Sequence, residues 1–233
     1  MHIEVKMVSQ QPIILAVDTT DLDVAKKWIS ATRASISIYK IGLEFFLKFG
    51  IDGINRLRAD FDFELFLDLK LHDIPNTVTG ACRSLLELDP YFLTVHAAGG
   101  AKMIAAAVSE LPNTRITGVT ILTSLDEADV KAIGFENDAL SSAAQLAKVA
   151  VSGGAKAIVC SPLEVAAIRN SIPKNISLIT PGVRPIGSAS ADQSRVMTPA
   201  MAIQSGADFL VIGRPITEAS DPGEAAAKIL ASL

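Results

Sequence analysis

Residues 66–78 read F-L-D-L-K-L-H-D-I-P-N-T-V, an apolar run that ends in charged residues and is followed by a proline. Leucines occupy every second position in the first part of this run, which is the period of a β-strand. Pro75 suits the first turn of a helix, so a helix is predicted to begin there. The stretch is therefore predicted to form one strand–helix unit, with charges crowded where the strand ends.

The same unit recurs along the whole chain. Eight strands are predicted, at residues 13–18, 37–40, 64–70, 92–96, 116–122, 157–160, 176–180 and 209–213. Helical patterns follow them, at residues 21–32, 43–59, 76–88, 101–108, 139–151, 163–169, 199–204 and 223–231. Eight such repeats in 233 residues fit a closed (β/α)8 TIM barrel better than an open doubly wound sheet. We predict an α/β fold with a single domain over residues 1–233, in which residues 1–11 form an N-terminal extension.

Composition argues against several classes of partner. The net charge is −4 and no block of Lys or Arg occurs, so neither nucleic acid nor a membrane surface is an expected partner. The chain has no long apolar run and no signal-peptide pattern, so we expect neither a membrane span nor secretion. Cys82 and Cys160 lack metal-binding spacing and are predicted to be buried, reduced thiols of a cytoplasmic protein.

Charged residues are predicted to meet at one end of the barrel. In strand three the leucines share one face, and Asp68 and Lys70 share the other, which points into the barrel. The same alternation places Asp18 and Lys40 on the inward face at the ends of strands one and two. The carboxyl ends of the strands carry the active site in barrels of this kind. We therefore predict a functional cluster of these four residues at the rim, with Asp73 just beyond it.

The cluster suggests acid–base or carbanion chemistry. Neighbouring carboxylates favour the ammonium form of Lys70, which can then donate a proton or stabilise a carbanion that forms beside it. Asp18, Asp68 and Asp73 could instead bind Mg²⁺. We rank that metal site second, because the Lys70 ammonium would compete for the position of the cation. A serine hydrolase is a weaker hypothesis, since no G-x-S-x-G motif occurs. His72 is predicted to pack, and His96 either bonds to the cluster or is structural.

A phosphate site is predicted after strands seven and eight, where barrels of this kind often bind phosphate. Strand eight ends in V-I-G-R-P-I-T, in which Gly213 permits close backbone approach and Arg214 supplies a forked cation. Strand seven is followed by a long loop rich in Gly, Pro and Ser, which is typical of a lid. Arg184, Gln193 and Arg195 are its candidate ligands. Thr123, after strand five, is either a hydrogen-bond donor to a ligand or a helix cap.

Taken together, these segments resemble the orotidine 5′-phosphate decarboxylase family. D-L-K-L-H-D-I-P-N-T-V matches the family signature D-x-K-x-x-D-I-P-x-T. The other matching segments, in order, are A-V-D, Y-K-I-G, V-T-I-L-T-S, P-G-V-R-P, a D-Q pair and V-I-G-R-P-I-T. The resemblance implies an enzyme that converts orotidine 5′-phosphate to UMP and CO₂, the last step of de novo pyrimidine biosynthesis. It also implies that no metal and no organic cofactor is used.

The resemblance implies a role for each matched position in the cluster. Asp18 and Lys40 would contact the ribose hydroxyls, and Lys40 would also belong to the charge network. Asp68 would lie near the departing carboxylate, and Lys70 would supply the proton to C6 of the pyrimidine. Thr123 would lie beside the pyrimidine ring.

The remaining matched positions concern the dimer and the phosphate. By resemblance, Asp73 and Thr77 reach into the site of the neighbouring subunit, so that the enzyme is an obligate homodimer with shared active sites. Arg184 belongs to the loop that closes over the ligand. The residues that grip the 5′-phosphate are Gln193, Gly213 and Arg214.

Two other functions stay open at this point. A Mg²⁺-dependent decarboxylase of 3-keto-gulonate 6-phosphate, or a hexulose phosphate synthase, has a similar D-x-K-x-x-D strand. The P-G-V-R-P segment and the D-Q pair favour the nucleotide enzyme. A non-catalytic phosphosugar- or nucleotide-binding barrel would need a phosphate site but not the charge network around Lys70.

Overall fold

The structure is a computed structural model that describes residues 11–185 and 197–233. Eight parallel strands follow one another in chain order and close into a barrel, in which the last strand pairs with the first. The strands are β1 (Ile13–Ala16), β2 (Ile38–Gly42), β3 (Glu64–Leu71), β4 (Phe92–His96), β5 (Arg115–Val119), β6 (Ala157–Val159), β7 (Ser177–Pro181) and β8 (Phe209–Ile212). The predicted (β/α)8 fold is confirmed. The extent of a single domain over residues 1–233 stays a prediction.

Helices connect the strands. They are α1 (Leu22–Thr32), α2 (Leu43–Arg58), α3 (Pro75–Ser84), α4 (Gly100–Glu110), α5 (Glu127–Ala132), α6 (Ala139–Ser152), α7 (Val165–Ser171), α8 (Pro199–Gln204), α9 (Arg214–Thr217) and α10 (Pro222–Ala231). The α5 and α9 helices, of six and four residues, were not predicted. Helix α3 was predicted to reach residue 88, but a separate 3₁₀ turn, Leu86–Leu88, takes the place of its last turn.

Single residues set several helix boundaries. The Asp21 carboxylate accepts hydrogen bonds from the backbone N–H groups of Asp23 and Val24, which would otherwise lack partners at the start of α1. Pro75 occupies the first turn of α3, as predicted. Gly50, with φ of 59°, interrupts the helical path of α2.

The strands bury two separate hydrophobic cores. Leu65 and Leu67 lie in the core between the barrel and the helices, whereas Phe66 lies in the core inside the barrel. The rings of Phe66 and Phe209 both contact Phe92, at centroid distances of 5.4 and 5.6 Å. Burying each ring contributes about 1.5–3 kcal/mol. The alternation predicted for strand three is confirmed, and it directs the next inward residue, Asp68, towards the carboxyl end of the barrel.

The two cysteines are enclosed within the fold. Cys82 and Cys160 are both free and buried, as predicted. Burial, with a smaller effect of Glu110, raises the pKa of Cys82 to about 11, so this thiol stays protonated near neutral pH. Within residues 11–185 and 197–233, no helix has the length and apolar character needed to cross a membrane.

Candidate active site

A cavity of about 320 Å³ lies at the carboxyl end of the barrel. Its volume is within the usual range of small-molecule sites. Eight of the residues predicted from the sequence line it, namely Asp18, Lys40, Asp68, Lys70, Thr123, Arg184, Gly213 and Arg214. The structure therefore brings the predicted rim cluster and the predicted phosphate-binding residues into one cavity.

Four charged side chains of the cavity alternate in sign. The Lys40 ammonium lies 3.1 Å from Oδ1 of Asp18 and 3.4 Å from Oδ2 of Asp68. The Lys70 ammonium donates a hydrogen bond of 2.8 Å to Oδ1 of Asp68. The side chains of Lys40 and Lys70 are 11% and 30% exposed, so Lys70 offers the more accessible of the two ammonium groups. We refer to Asp18, Lys40, Asp68 and Lys70 as the charge row.

Neighbouring charges hold Asp68 in its ionised form. Burial alone would raise the pKa of this carboxyl, but the positive charges of Lys40 and Lys70 and the hydrogen bonds from Lys70 and Thr94 lower it below its ordinary value. Asp68 is therefore a carboxylate at neutral pH. An anionic ligand group would be repelled beside Asp68 and attracted beside Lys70, so the charge row can orient such a ligand.

Strand β3, which carries Asp68 and Lys70, is distorted at Lys70. The pairing of β3 with β4 shifts register between Leu67 and Leu71. Lys70 has φ of 50°, in the left-handed region that lysine rarely adopts. Its backbone N–H donates to Oγ1 of Thr94 at 2.8 Å. Backbone strain of this kind costs about 1–3 kcal/mol and clusters at functional sites.

The opposite side of the cavity carries two arginines. Gly213 directly follows β8, and Arg214 is the first residue of α9. Among the described residues, a Cβ placed on Gly213 would meet only the Ala16 side chain, at 3.5 Å, which is an ordinary contact. Packing within the described parts of the chain therefore does not require glycine here. Arg184 follows β7 and donates to the carbonyl oxygen of Val183 at 3.0 Å.

Two predicted residues that the structure describes are not among those that line the cavity. Asp73 and Thr77 are exposed and belong to the segment that leads from β3 into α3. The Asp73 carboxylate accepts a hydrogen bond of 2.6 Å from the backbone N–H of Ile74. Gln193 and Arg195 lie outside the described residues.

The two histidines near the site contact each other. The rings of His72 and His96 lie 5.4 Å apart between centroids, but His72 is exposed, so its predicted packing role stays a prediction. Burial lowers the pKa of His96 below its ordinary value, and the nearby His72 and Lys70 add to this effect. The residues described as lining the cavity include neither histidine.

Three residues in or near the cavity were not predicted as site residues from the sequence. Oγ1 of Thr94 donates a hydrogen bond of 2.9 Å to Oδ1 of Asp68. Gly42 lies opposite Asp68 in the β2–β3 register, and a Cβ there would come within 2.9 Å of Oδ1 of Asp18. Cys160 lines the cavity. A polar residue on the inward face of an otherwise apolar strand was the available signal for Thr94.

The sequence from β1 to α10 matches a known protein family. The family model described as "Orotidine 5'-phosphate decarboxylase / HUMPS family" matches residues 11–229. The chain belongs to this family. The resemblance stated from the motifs is therefore confirmed over nearly the whole chain.

Individual members of the family are similar over nearly their full length. "Orotidine 5'-phosphate decarboxylase" of Thermobifida fusca (strain YX) is 52% identical over 222 residues, which are 95% of each chain. The protein of the same name from Anaeromyxobacter sp. (strain K) is 45% identical over 97% of this chain and 100% of the other. A crystal structure of orotidine 5′-phosphate decarboxylase from Lactobacillus acidophilus has a TM-score of 0.83 at 35% identity, and covers 94% of this chain and 97% of that one.

Proposed function

We propose that this chain decarboxylates orotidine 5′-phosphate to UMP and CO₂, the last step of de novo pyrimidine biosynthesis. The observation that carries the proposal is the Lys70 ammonium, which Asp68 holds at 2.8 Å in the cavity at the barrel mouth. The names of the relatives at 52% and 45% identity support the same reaction.

The charge row suits the chemistry of this reaction. The bond between C6 and its carboxylate carbon breaks, CO₂ leaves, and the electron pair stays on C6. Lys70 then donates a proton to C6 and becomes a neutral amine, which solvent protonates again. Because the ammonium is already in place, it stabilises the negative charge as it forms, without reorganisation of solvent. The ionised Asp68 lies near the departing carboxylate and disfavours its bound form.

Other residues of the cavity hold the rest of the substrate in this proposal. Asp18 and Lys40 contact the ribose hydroxyls, and Thr123 lies beside the pyrimidine. Arg184 closes over the ligand. The residues that bind the 5′-phosphate are Gln193, Gly213 and Arg214. Phosphate contacts far from C6 supply binding energy that assembles the charges around the reacting carbon.

A homodimer with shared sites is also part of the proposal. Asp73 and Thr77 are exposed outside the cavity of their own chain. Ile74, between them in the sequence, is 65% exposed, which suits a surface covered by a second copy. In such a dimer, Asp73 adds a carboxylate and Thr77 a hydroxyl to the neighbouring cavity.

Two buried free cysteines, Cys82 and Cys160, support a reducing cytoplasmic location.

The two alternative functions are less well supported. In a Mg²⁺-dependent 3-keto-gulonate 6-phosphate decarboxylase or a hexulose phosphate synthase, a cation would have to lie beside the rim aspartates. Here Oδ1 and Oδ2 of Asp68 face Lys70 and Lys40, at 2.8 and 3.4 Å. A divalent cation at Asp68 would meet both ammonium groups. In a barrel that only binds nucleotides, the strained Lys70 and its ion pair with Asp68 would have no catalytic role.

One assay separates these functions. Purified protein, treated with EDTA, is mixed with orotidine 5′-phosphate, and the loss of substrate absorbance and the release of CO₂ are followed. We expect full turnover in the presence of the chelator. Turnover that stops with EDTA and returns with Mg²⁺ would favour the metal-dependent enzymes. Binding of UMP without release of CO₂ would favour the binding barrel.

A further inference from the structure

Thr94 contacts both members of the Asp68–Lys70 pair. It lies on β4 and is fully buried. Its hydroxyl donates a hydrogen bond of 2.9 Å to Oδ1 of Asp68 and accepts one of 2.8 Å from the backbone N–H of Lys70. One side chain thus fixes the carboxylate that holds the Lys70 ammonium and the backbone from which that ammonium projects.

These contacts occur where β3 leaves its regular register. Leu67 pairs with Leu93, but the next pairing is between Leu71 and Val95, so β3 carries extra residues opposite Thr94. Within this bulge Lys70 has φ of 50°. A left-handed lysine persists only where its surroundings hold it. The hydrogen bond that the backbone N–H of Lys70 donates to Thr94 restrains the Lys70 amide.

We propose that Thr94 is a positioning residue for the decarboxylation. Its hydroxyl fixes the Asp68 carboxylate and the strained Lys70 backbone, so that the ammonium is aimed at the carbon that becomes negative. The inference rests on the proposed function. Thr94 is not among the described residues that line the cavity, so it acts through Asp68 and Lys70. Its loss should therefore lower kcat and leave ligand binding almost unchanged.

A neighbouring threonine provides a matched control. Thr117 on β5 pairs with Thr94 in the β4–β5 register and is equally buried. Its hydroxyl donates to the carbonyl oxygen of Arg115 on its own strand, at 2.9 Å. If a satisfied buried hydroxyl were all that mattered, Thr→Val substitutions at the two positions would have similar effects on catalysis.

The experiment compares Thr94→Val, Thr94→Ser and Thr117→Val with the wild type. It measures kcat and KM for orotidine 5′-phosphate and Kd for UMP, with active sites counted by UMP titration. In Thr94→Val the shape is kept and the hydroxyl removed, and we expect kcat to fall about 10- to 100-fold, with KM and Kd within about threefold. Thr94→Ser and Thr117→Val should keep kcat within about threefold of the wild type.

Several results would overturn the inference. One is a kcat of Thr94→Val close to that of the wild type. Another is impairment of Thr94→Ser as severe as that of Thr94→Val, which would show that the hydroxyl alone does not position Asp68 and Lys70. A loss of UMP affinity in parallel with kcat would indicate a general structural role. Should Thr94→Val not fold, Thr94→Ala replaces it under the same criteria. A wild type that binds UMP but releases no CO₂ would overturn the proposed function, and this inference with it.

Discussion

The ammonium nitrogen of Lys70 lies 2.8 Å from Oδ1 of Asp68, and only Leu69 separates the two residues along β3. In a regular strand such residues point to the same side, with their Cα atoms roughly 6.6 Å apart. The φ of 50° at Lys70 departs from that geometry. The ion pair and the strained backbone therefore belong to one local arrangement, whose product is an ammonium group open to the cavity.

Substitution of Lys70 should separate catalysis from stability. Lys70→Ala and Lys70→Gly should both lose about 10²–10⁴-fold in kcat, because each removes the proposed proton donor. Lys70→Gly should be the more stable of the two by about 1 kcal/mol, because glycine adopts positive φ without a steric penalty. Turnover is measured by substrate absorbance, and stability by urea unfolding.

The exposed Lys148 on α6 supplies the control for that pair. Lys148→Ala should change neither turnover nor UMP affinity. More than a few percent of wild-type activity in Lys70→Ala, with its active sites counted by UMP titration, would contradict the role of Lys70 as the acid. Equal stabilities of the alanine and glycine variants would contradict the account of strain.

The inward orientation of Asp68 and Lys70 on β3 was predictable from the sequence, whereas the distortion of that strand was not. Alternation along a strand is local, so the sequence alone placed Asp68 and Lys70 inside the barrel and at its carboxyl end. The register shift depends on how β3 meets β4, and lysine is not a residue type that indicates positive φ. The bonds of Thr94 follow from that shift and were missed for the same reason. The roles proposed for Asp73 and Thr77 involve a second chain, so they stay predictions.

Arg214 should matter for the phosphate and not for the base. Arg214→Ala removes a forked cation from the cavity wall, so we expect UMP to bind roughly 10- to 100-fold more weakly. Uridine, which lacks the phosphate, should bind with nearly the same affinity to the variant and the wild type. Calorimetric titration of both ligands measures this difference. Equal losses of affinity for UMP and uridine would show that Arg214 does not bind the phosphate.

Gly42 should be required for the geometry of the charge row and not for the fold. A Cβ at this position would lie 2.9 Å from Oδ1 of Asp18 and 3.1 Å from the Lys40 nitrogen, so both side chains would have to move. Its φ of −95° suits alanine, so the backbone is not strained by the change. We expect Gly42→Ala to lower kcat roughly tenfold while the free energy of unfolding changes little.

The control for Gly42 is Gly80 on α3, where a Cβ would meet no atom of the described residues within 4 Å. Gly80→Ala should leave kcat unchanged and stabilise the helix by roughly 0.5–1 kcal/mol. Steady-state kinetics and urea unfolding of both variants provide the measurements. Normal turnover in Gly42→Ala would show that the Asp18–Lys40 contact tolerates displacement.

Shared active sites can be tested by mixing two inactive variants. Lys70→Ala removes the proposed acid, and Asp73→Ala removes the carboxylate that is proposed to reach the neighbouring site. In a mixed dimer, one site carries both defects and the other carries neither. A 1:1 mixture refolded together should therefore regain roughly a quarter of the wild-type activity, because half of the dimers are mixed and each has one intact site.

A second mixture shows whether that recovery comes from sharing. Lys70 and Asp68 lie on the same strand of one chain, so a mixture of Lys70→Ala and Asp68→Ala leaves a defect in every site. It should show no recovery. If Asp73 acted within its own chain, the first mixture would stay inactive as well, because every site would then lack either Lys70 or Asp73. An Asp73→Ala protein that is fully active by itself would remove Asp73 from the proposed site. Only recovery confined to the first mixture is consistent with a cavity completed by the partner subunit.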